Sequence, residues 1–265
     1  LVDTKKSSNP LDTPESFTLS EIGYSGQKLI QGLSVQETKR ELNFPHNVQT
    51  FKEMSYHPSI NAALSMYNTM VAKANYRFVE PENATAKEKK QTEFVREVFN
   101  DMDRPLSDVI QDIMSMNTFG FSVIEKVYKK RKGNNSQYPD GRIGIKKLGL
   151  RNQESIDKFV FDNTGNDIVG VKQDISKIED PFSRFANRAK TDVVLPRSKV
   201  MLFTTGRATD NPYGVSPLRD VYLPWKYLTS IEELEAAGVA KDLQGLPVLY
   251  VPAQYMSPDA STEQK

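Results

Sequence analysis

The chain carries two histidines, His46 and His57, so a Ser-His-Asp relay would have to be built on one of them. Nothing near either supports a relay. His57 stands beside Pro58 at a predicted helix start, where a histidine serves as a surface or capping residue. Cysteine is absent, which removes a thiol nucleophile, disulfides and every Cys-based zinc or iron-sulfur site. No glycine-rich loop precedes a Lys-Ser/Thr pair, and neither a GxSxG elbow nor an HExxH pair occurs. Carboxylates are numerous but dispersed. The late cluster Glu232, Glu233 and Glu235 reads as a solvated helix face, because a cage for a hard cation needs further ligands from elsewhere. These residues predict no catalytic site, no bound metal and no cofactor.

Basic residues offer a different chemistry. Lys126, Lys129, Lys130, Arg131 and Lys132 form the densest positive run, with Arg142, Lys146 and Lys147 across a predicted hairpin and Tyr128 and Tyr138 between them. One reading is a phosphate-contacting patch centred on Lys129, Lys130 and Arg131. The other is a solvated hairpin tip whose lysines discourage sheet-to-sheet aggregation. Whole-chain charge does not favour the first. Lys+Arg is 35 against Asp+Glu 34, a net +1, which excludes a histone-like basic protein and an acidic tail alike.

The elements that must position these residues are of mixed type. Ile60, Leu64, Tyr67, Val71 and Ala74 step by three or four and predict a helix with one apolar face, started near Pro58. A short strand is expected over 76–79. Phe94, Val95, Val98, Phe99 and Met102 form a second helical stripe, and Leu106, Val109, Ile110 and Ile113 a third, with Pro105 at its start. Strands are expected over 119–130 and 142–150, joined by the turn residues of 133–141. Further strands are expected over 156–161, 168–171, 193–195 and 200–203, the first two joined by Asn163-Thr164-Gly165-Asn166. Helices and antiparallel hairpins are segregated, so the fold class is α+β.

The longest helix is predicted from Ser216-Pro217, an N-cap followed by a first-turn proline. Leu218, Val221, Tyr222, Trp225, Leu228, Ile231 and Leu234 keep its period, and Pro224 predicts a kink or a later start. Beyond it, 246–251 reads as a strand. Residues 1–30 and 256–265 are polar and without periodicity, the first segment reading as a flexible arm. At 265 residues the chain is long enough for a sizeable core, yet only 38% of it is hydrophobic, so further surface is expected to be buried against partners. No apolar run approaches the roughly 20 residues that span a bilayer, and the first residues lack a signal peptide's apolar core, so no membrane association is expected.

Three segments carry a family resemblance. Asn211-Pro212-Tyr213-Gly214-Val215-Ser216-Pro217-Leu218-Arg219, with Pro224-Trp225-Lys226 and Gly245-Leu246-Pro247-Val248 after it, resembles the turn, long helix and following strand of the portal proteins of tailed bacteriophages. His57-Pro58-Ser59-Ile60-Asn61-Ala62-Ala63 resembles the family's early helix. Asn117 to Glu125, with Gly120 and Ser122, resembles its G-x-S-x-x-E strand. The physical reading of the same residues is a scaffold. Asn211, Pro212 and Gly214 make a tight turn that redirects the chain into a helix, Asp210 and Asn211 can cap it, and Gly120 allows close approach or an unusual dihedral.

The resemblance implies an organisation: an N-terminal arm over 1–30, a wing domain over 31–215, a stem helix over 216–243 and the start of a clip over 244–265. Relative to the family, the returning stem helix, the later part of the wing and the crown are not in the sequence. It implies a structural protein rather than an enzyme. The expected assembly is a homo-oligomeric ring, usually a dodecamer, at one capsid vertex of the virion, assembled in the host cytoplasm. Double-stranded DNA would pass through it during packaging and ejection. The terminase motor, the major capsid protein and head completion or adaptor proteins would be its partners. Within the stem, Trp225 and Leu228 are the candidates for packing between subunits, and Glu232, Glu233 and Glu235 for lining the channel. Rival readings are a capsid-associated adaptor without a channel, a metal-dependent nuclease, and a nucleic-acid-binding module built on the basic hairpin.

Overall fold

A computed structural model describes residues 29–30, 33–34, 37–74, 76–162, 165–177, 192–206, 211–245, 248, 250 and 252. The chain divides into two compact units, residues 1–219 and 220–265.

In the first unit the helices are α1 (His46–Tyr56), α2 (Pro58–Ala72), α3 (Ala86–Asn100), α4 (Leu106–Ile113) and α5 (Met116–Phe119). Strands β1 (Leu29–Ile30) and β2 (Leu33–Ser34) form a small antiparallel pair. Strands β3 (Phe121–Lys130), β4 (Ile143–Arg151) and β8 (Val200–Thr204) form one antiparallel sheet in the order β4-β3-β8. Strands β5 (Ile156–Phe161), β6 (Ile168–Asp174) and β7 (Asp192–Pro196) form another, also antiparallel, in chain order. The expected mixture of helices and antiparallel hairpins is what the chain forms.

The central strand β3 is buried on both faces over its first half, because alternate side chains enter different cores. Phe121 and Val123 join Phe159, Val171, Leu195 and Tyr213 in the core shared with the second sheet. Ile124, one position out of phase, joins Val109 of α4 and Leu148 of β4. Sheet and helix on one side, sheet on sheet on the other, hold β3 in place.

Local signals explain most helix boundaries. Thr85 caps α3 in a reciprocal box with Glu88, and Pro105 stands at the N-cap of α4. Helix α5 stops at Gly120, whose φ of +92° is open to glycine at little cost.

Several expectations change. Residues 76–79 form no strand: Phe78 packs on Phe99, ring centroids 5.1 Å apart, and its carbonyl accepts from Arg96 Nη2 at 3.3 Å. The segment is held by α3 and not by a neighbouring strand. Phe119 ends α5, so the strand begins at Phe121 and not at 119. Helix α1 was not expected. Val48, Phe51 and Met54, spaced by three, are its buried face. Of the arm expected over 1–30, only Leu29–Ile30 are described, and they form β1 and not a flexible segment; residues 1–28, Asp210, Asn163-Thr164, most of 246–251 and the tail lie outside the described residues.

The second unit is dominated by α6 (Leu218–Gln244), which begins just before the unit boundary. It runs unbroken through Pro224. Within it Lys226 Nζ donates to the Tyr222 hydroxyl at 3.0 Å, and the Tyr222 and Trp225 rings lie 6.2 Å apart. Beyond Tyr222 Trp225 is half-buried, while Leu223, Tyr227, Leu228, Ile231, Leu234 and Leu243 are exposed. Among the described residues no helix is long and apolar enough to cross a membrane.

Candidate functional site at the entry to the long helix

The turn over 211–216 is built from the residues that the sequence singles out. Asn211 Oδ1 accepts from the Tyr213 N–H at 3.1 Å, and the Asn211 carbonyl accepts from the Gly214 N–H at 3.1 Å. These two bonds close the turn over Pro212, which is fully buried. Ser216 is buried as well. Its hydroxyl donates to the Thr118 carbonyl at 2.7 Å and accepts from the Leu218 N–H at 3.1 Å, so one side chain both caps α6 and ties it to α5.

Gly120 and Gly214 meet in this corner. Gly214 has a φ of +58°, and a Cβ there would strike the carbonyl oxygen of Gly120 and come within 2.6 Å of the Thr205 carbonyl. A Cβ on Gly120 would come within 2.6 Å of the Tyr213 carbonyl. Both positions therefore combine a left-handed backbone with contact too close for any side chain. Thr205 is the clasp: its N–H donates to the Gly120 carbonyl at 2.9 Å, and its own carbonyl accepts from the Val215 N–H at 2.7 Å. Its hydroxyl lies 3.1 to 3.2 Å from the carbonyls of Met116, Gly120 and Val215.

The early helix joins the same corner. Asn117, buried, donates from Nδ2 to Asn68 Oδ1 of α2 at 2.9 Å. The helix that the 57–63 segment opens thus reaches the corner through Asn68, which lies beyond that segment. Tyr213 fills the centre, stacked on Phe44 at 4.3 Å and edge-on to Phe121 and Phe159. Burial pushes its hydroxyl well above the ordinary phenol value, so it stays protonated. The contacts described in this corner are hydrogen bonds and close packing. Thr205 and Asn68 were missed in the sequence, where a threonine just after a strand and an asparagine within a helix carry no local signal.

The basic run departs from the phosphate-patch reading. Arg131 is fully buried. Its Nη2 bonds Glu97 Oε2 at 2.7 Å, its Nε bonds the Tyr138 carbonyl at 3.0 Å, and its Nη1 lies 3.3 Å from Asp140 Oδ2. The rings of Phe94 and Tyr138 each stand 5.2 Å from the guanidinium carbon. A side chain so enclosed cannot reach a phosphate, and Arg131 is removed from that expectation. Lys129 also turns inward, donating to the Asp101 carbonyl and lying 3.2 Å from its carboxylate. Of the three, only Lys130 is exposed. Asp101 sits at the end of α3. Burial works to raise its pKa, but hydrogen bonds from Ser136, the Gln137 N–H and Lys129 outweigh burial and hold the carboxyl below its ordinary value.

On α6, Trp225 is half-buried and Leu228 exposed, and Glu232, Glu233 and Glu235 are all exposed. The helix does not bring the three carboxylates together. Glu232 and Glu235 share a side by their i, i+3 spacing, while Glu233 points elsewhere. Among the described residues no group of three or more histidine or acidic side chains could hold a metal ion.

A family model, the portal protein of Mu bacteriophage, matches residues 48–234. The match begins in α1, takes in the whole corner around Gly120, Thr205 and Gly214, and ends inside α6. The chain belongs to this portal family. A search of curated proteins returned no match.

Proposed function

We propose that the chain is a subunit of a homo-oligomeric ring, a dodecamer in the usual form of the family, set at one capsid vertex of the virion. Double-stranded DNA passes through it during packaging and ejection. The ring is a docking platform for the terminase motor and later for head completion or adaptor proteins, and contacts the major capsid protein. It assembles in the host cytoplasm and has no catalytic role. In this reading 31–215 is the wing, 216–243 the stem and 244–265 the start of the clip, with 1–30 an arm. The observation that carries the proposal is the family match over 48–234, which includes the corner that launches the long helix.

Two surface features support self-association. Helix α6 has apolar residues on two sides. Leu223, Tyr227, Ile231 and Leu234 recur at steps of four and three on one, and Val221, Trp225, Leu228 and Val239 lie roughly a third of a turn away. A helix with a neighbour on either hand needs two such sides, and a ring needs unlike surfaces that meet head to tail. Trp225 and Leu228 are anchors on the second side. The other feature is α2 with its approach. Residues 54–72 contain no Asp, Glu, Lys or Arg, yet Tyr56, Met66, Tyr67 and Met70 are exposed. Exposed Met and Tyr without charge is the composition of an interface centre.

Glu232, Glu233 and Glu235 are the candidates for the channel wall. From 216 to 245 the positive residues are Arg219, Lys226 and Lys241 and the negative ones Asp220, Glu232, Glu233, Glu235 and Asp242, which gives 3 − 5 = −2 per subunit. A negative lumen repels the duplex and lets it slide, because no phosphate is neutralised. The test is a packaging assay with all three glutamates changed to lysine. Intact assembly with slowed packaging supports the channel role; packaging at the normal rate removes it.

A further inference from the structure

Strand β3 outruns one of its two neighbours. Its pairing with β4 continues to Lys130, opposite Ile143, whereas its pairing with β8 ends at Glu125, opposite Val200. Among the described residues, 126–130 therefore have a strand on one side only. Along that length the backbone groups directed away from β4 have no ladder partner.

The side chains of this edge are of mixed character. Ile124 is fully buried against α4, and positions 126, 128 and 130 follow it on the same face by alternation. They are Lys126, Tyr128 and Lys130. Tyr128 is 44% exposed, and Nζ of Lys199, the residue just before β8, stands 4.7 Å from its ring centre. Ile143 lies directly across from Lys130, so it shares that face, and it is 70% exposed. Lys126, Lys130 and Lys199 enter no ion pair among the described residues. Glu125, the adjacent carboxylate, belongs to the other face and is held by Arg151.

Lysines alone would keep a bare edge from pairing with other sheets. That purpose does not account for Tyr128 and Ile143, because exposed apolar side chains beside an open edge favour a partner. The mixture selects its chemistry. A DNA duplex offers phosphates to the lysines but nothing to cover Ile143. A wholly apolar segment would dehydrate the cations without giving them a counter-charge. An extended protein segment with acidic and apolar side chains on one face meets both needs.

We propose that the 126–130 edge of β3 is a docking site for an extended acidic segment of a partner protein, added to the sheet as a strand. The main chain of that segment pairs with the open edge. Its carboxylates meet Lys126, Lys130 and Lys199, and an apolar side chain between them covers Tyr128 and Ile143. Occupation of the edge requires neither the ring nor DNA.

The test uses the purified full chain and a capped fluorescent peptide with the core Glu-Thr-Leu-Thr-Glu, whose two Glu and one Leu share a face when extended. Anisotropy titration should show saturable binding that weakens with added salt. Lys130→Glu combined with Lys199→Glu should weaken it at least about tenfold. Both positions are exposed, so the melting temperature should hold. The same peptide N-methylated throughout keeps its side chains but cannot donate to the edge, and should also bind at least about tenfold more weakly. No saturable binding, or equal binding by the N-methylated peptide or to the charge-reversed variant, would overturn the proposal. Tighter binding of a short DNA duplex than of the peptide would overturn it by making the face a nucleic-acid surface. Loss of self-association in the charge-reversed variant would overturn it by assigning the edge to a second copy.

Discussion

Gly214 lies against Gly120 so closely that neither can carry a side chain: a Cβ on Gly214 would overlap the Gly120 carbonyl oxygen. That oxygen is held in turn by the Thr205 N–H at 2.9 Å. The end of α5, the end of β8 and the turn into α6 are pinned at one point, so a change at any of them is felt by all.

Gly214→Val should therefore be among the most damaging single changes. Its φ of +58° is strained for a β-branched residue, which costs about 1–3 kcal/mol, and the overlap adds to that. A large drop in melting temperature and poor yield are expected. Gly238→Ala is the control. A Cβ there meets nothing within 4 Å inside α6, and about 0.5–1 kcal/mol of helix stabilisation is expected. Thermal denaturation of the two variants checks both signs.

Thr205→Val keeps the shape and removes the hydroxyl. The clasp then loses the donor shared among the Met116, Gly120 and Val215 carbonyls, while the backbone bonds to Gly120 and Val215 remain. A loss of about 1–2 kcal/mol is expected, measured by urea unfolding. No change would mean that the backbone alone holds the corner.

At the hairpin, Glu97→Ala leaves Arg131 buried with only the longer Asp140 contact and the Tyr138 carbonyl. About 3 kcal/mol of destabilisation is expected, the low end for a broken buried pair because Asp140 remains. Lys130→Ala, at an exposed position, should fall within about 0.5 kcal/mol of wild type. Equal effects of the two would contradict the buried-clamp assignment.

The acid limb of stability should carry the signature of Asp101. Its folded pKa is depressed, so its contribution is fully present above the ordinary carboxylate value, about 4, and is lost as pH falls through the lower folded value. Asp101→Asn should be destabilised at neutral pH, with the gap to wild type closing as the solution becomes acidic. Denaturant midpoints taken across the acid range give the comparison. A gap that stays constant with pH would mean that the carboxylate charge is not what stabilises this helix end.

The legibility of the chain in its sequence follows physical lines. Helices α3 and α4 and most strands were readable because apolar stripes and alternation act locally, as with Phe94, Val98 and Phe99, or Phe121 and Val123 against Ile124. Helix α1 was not, because its signal is a short run of Val48, Phe51 and Met54 just before the louder Pro58. The segment 76–79 alternates like a strand, but its partner is a helix, and partnership is not a local property. At the corner, Asn211, Gly214 and Gly120 were visible as turn chemistry, whereas Thr205 acts only through contacts far away in sequence. The basic run stayed ambiguous for the same reason: Arg131 finds Glu97, more than thirty residues earlier, and a list of positive charges does not show which of them is already neutralised.

The central claim, that this portal-family chain forms a ring with a passage for DNA, is tested most directly by particle images of the purified protein viewed down its symmetry axis. The account predicts a closed, rotationally symmetric ring with an open central hole. A monomer, a closed dimer or a symmetric particle with no hole would contradict it.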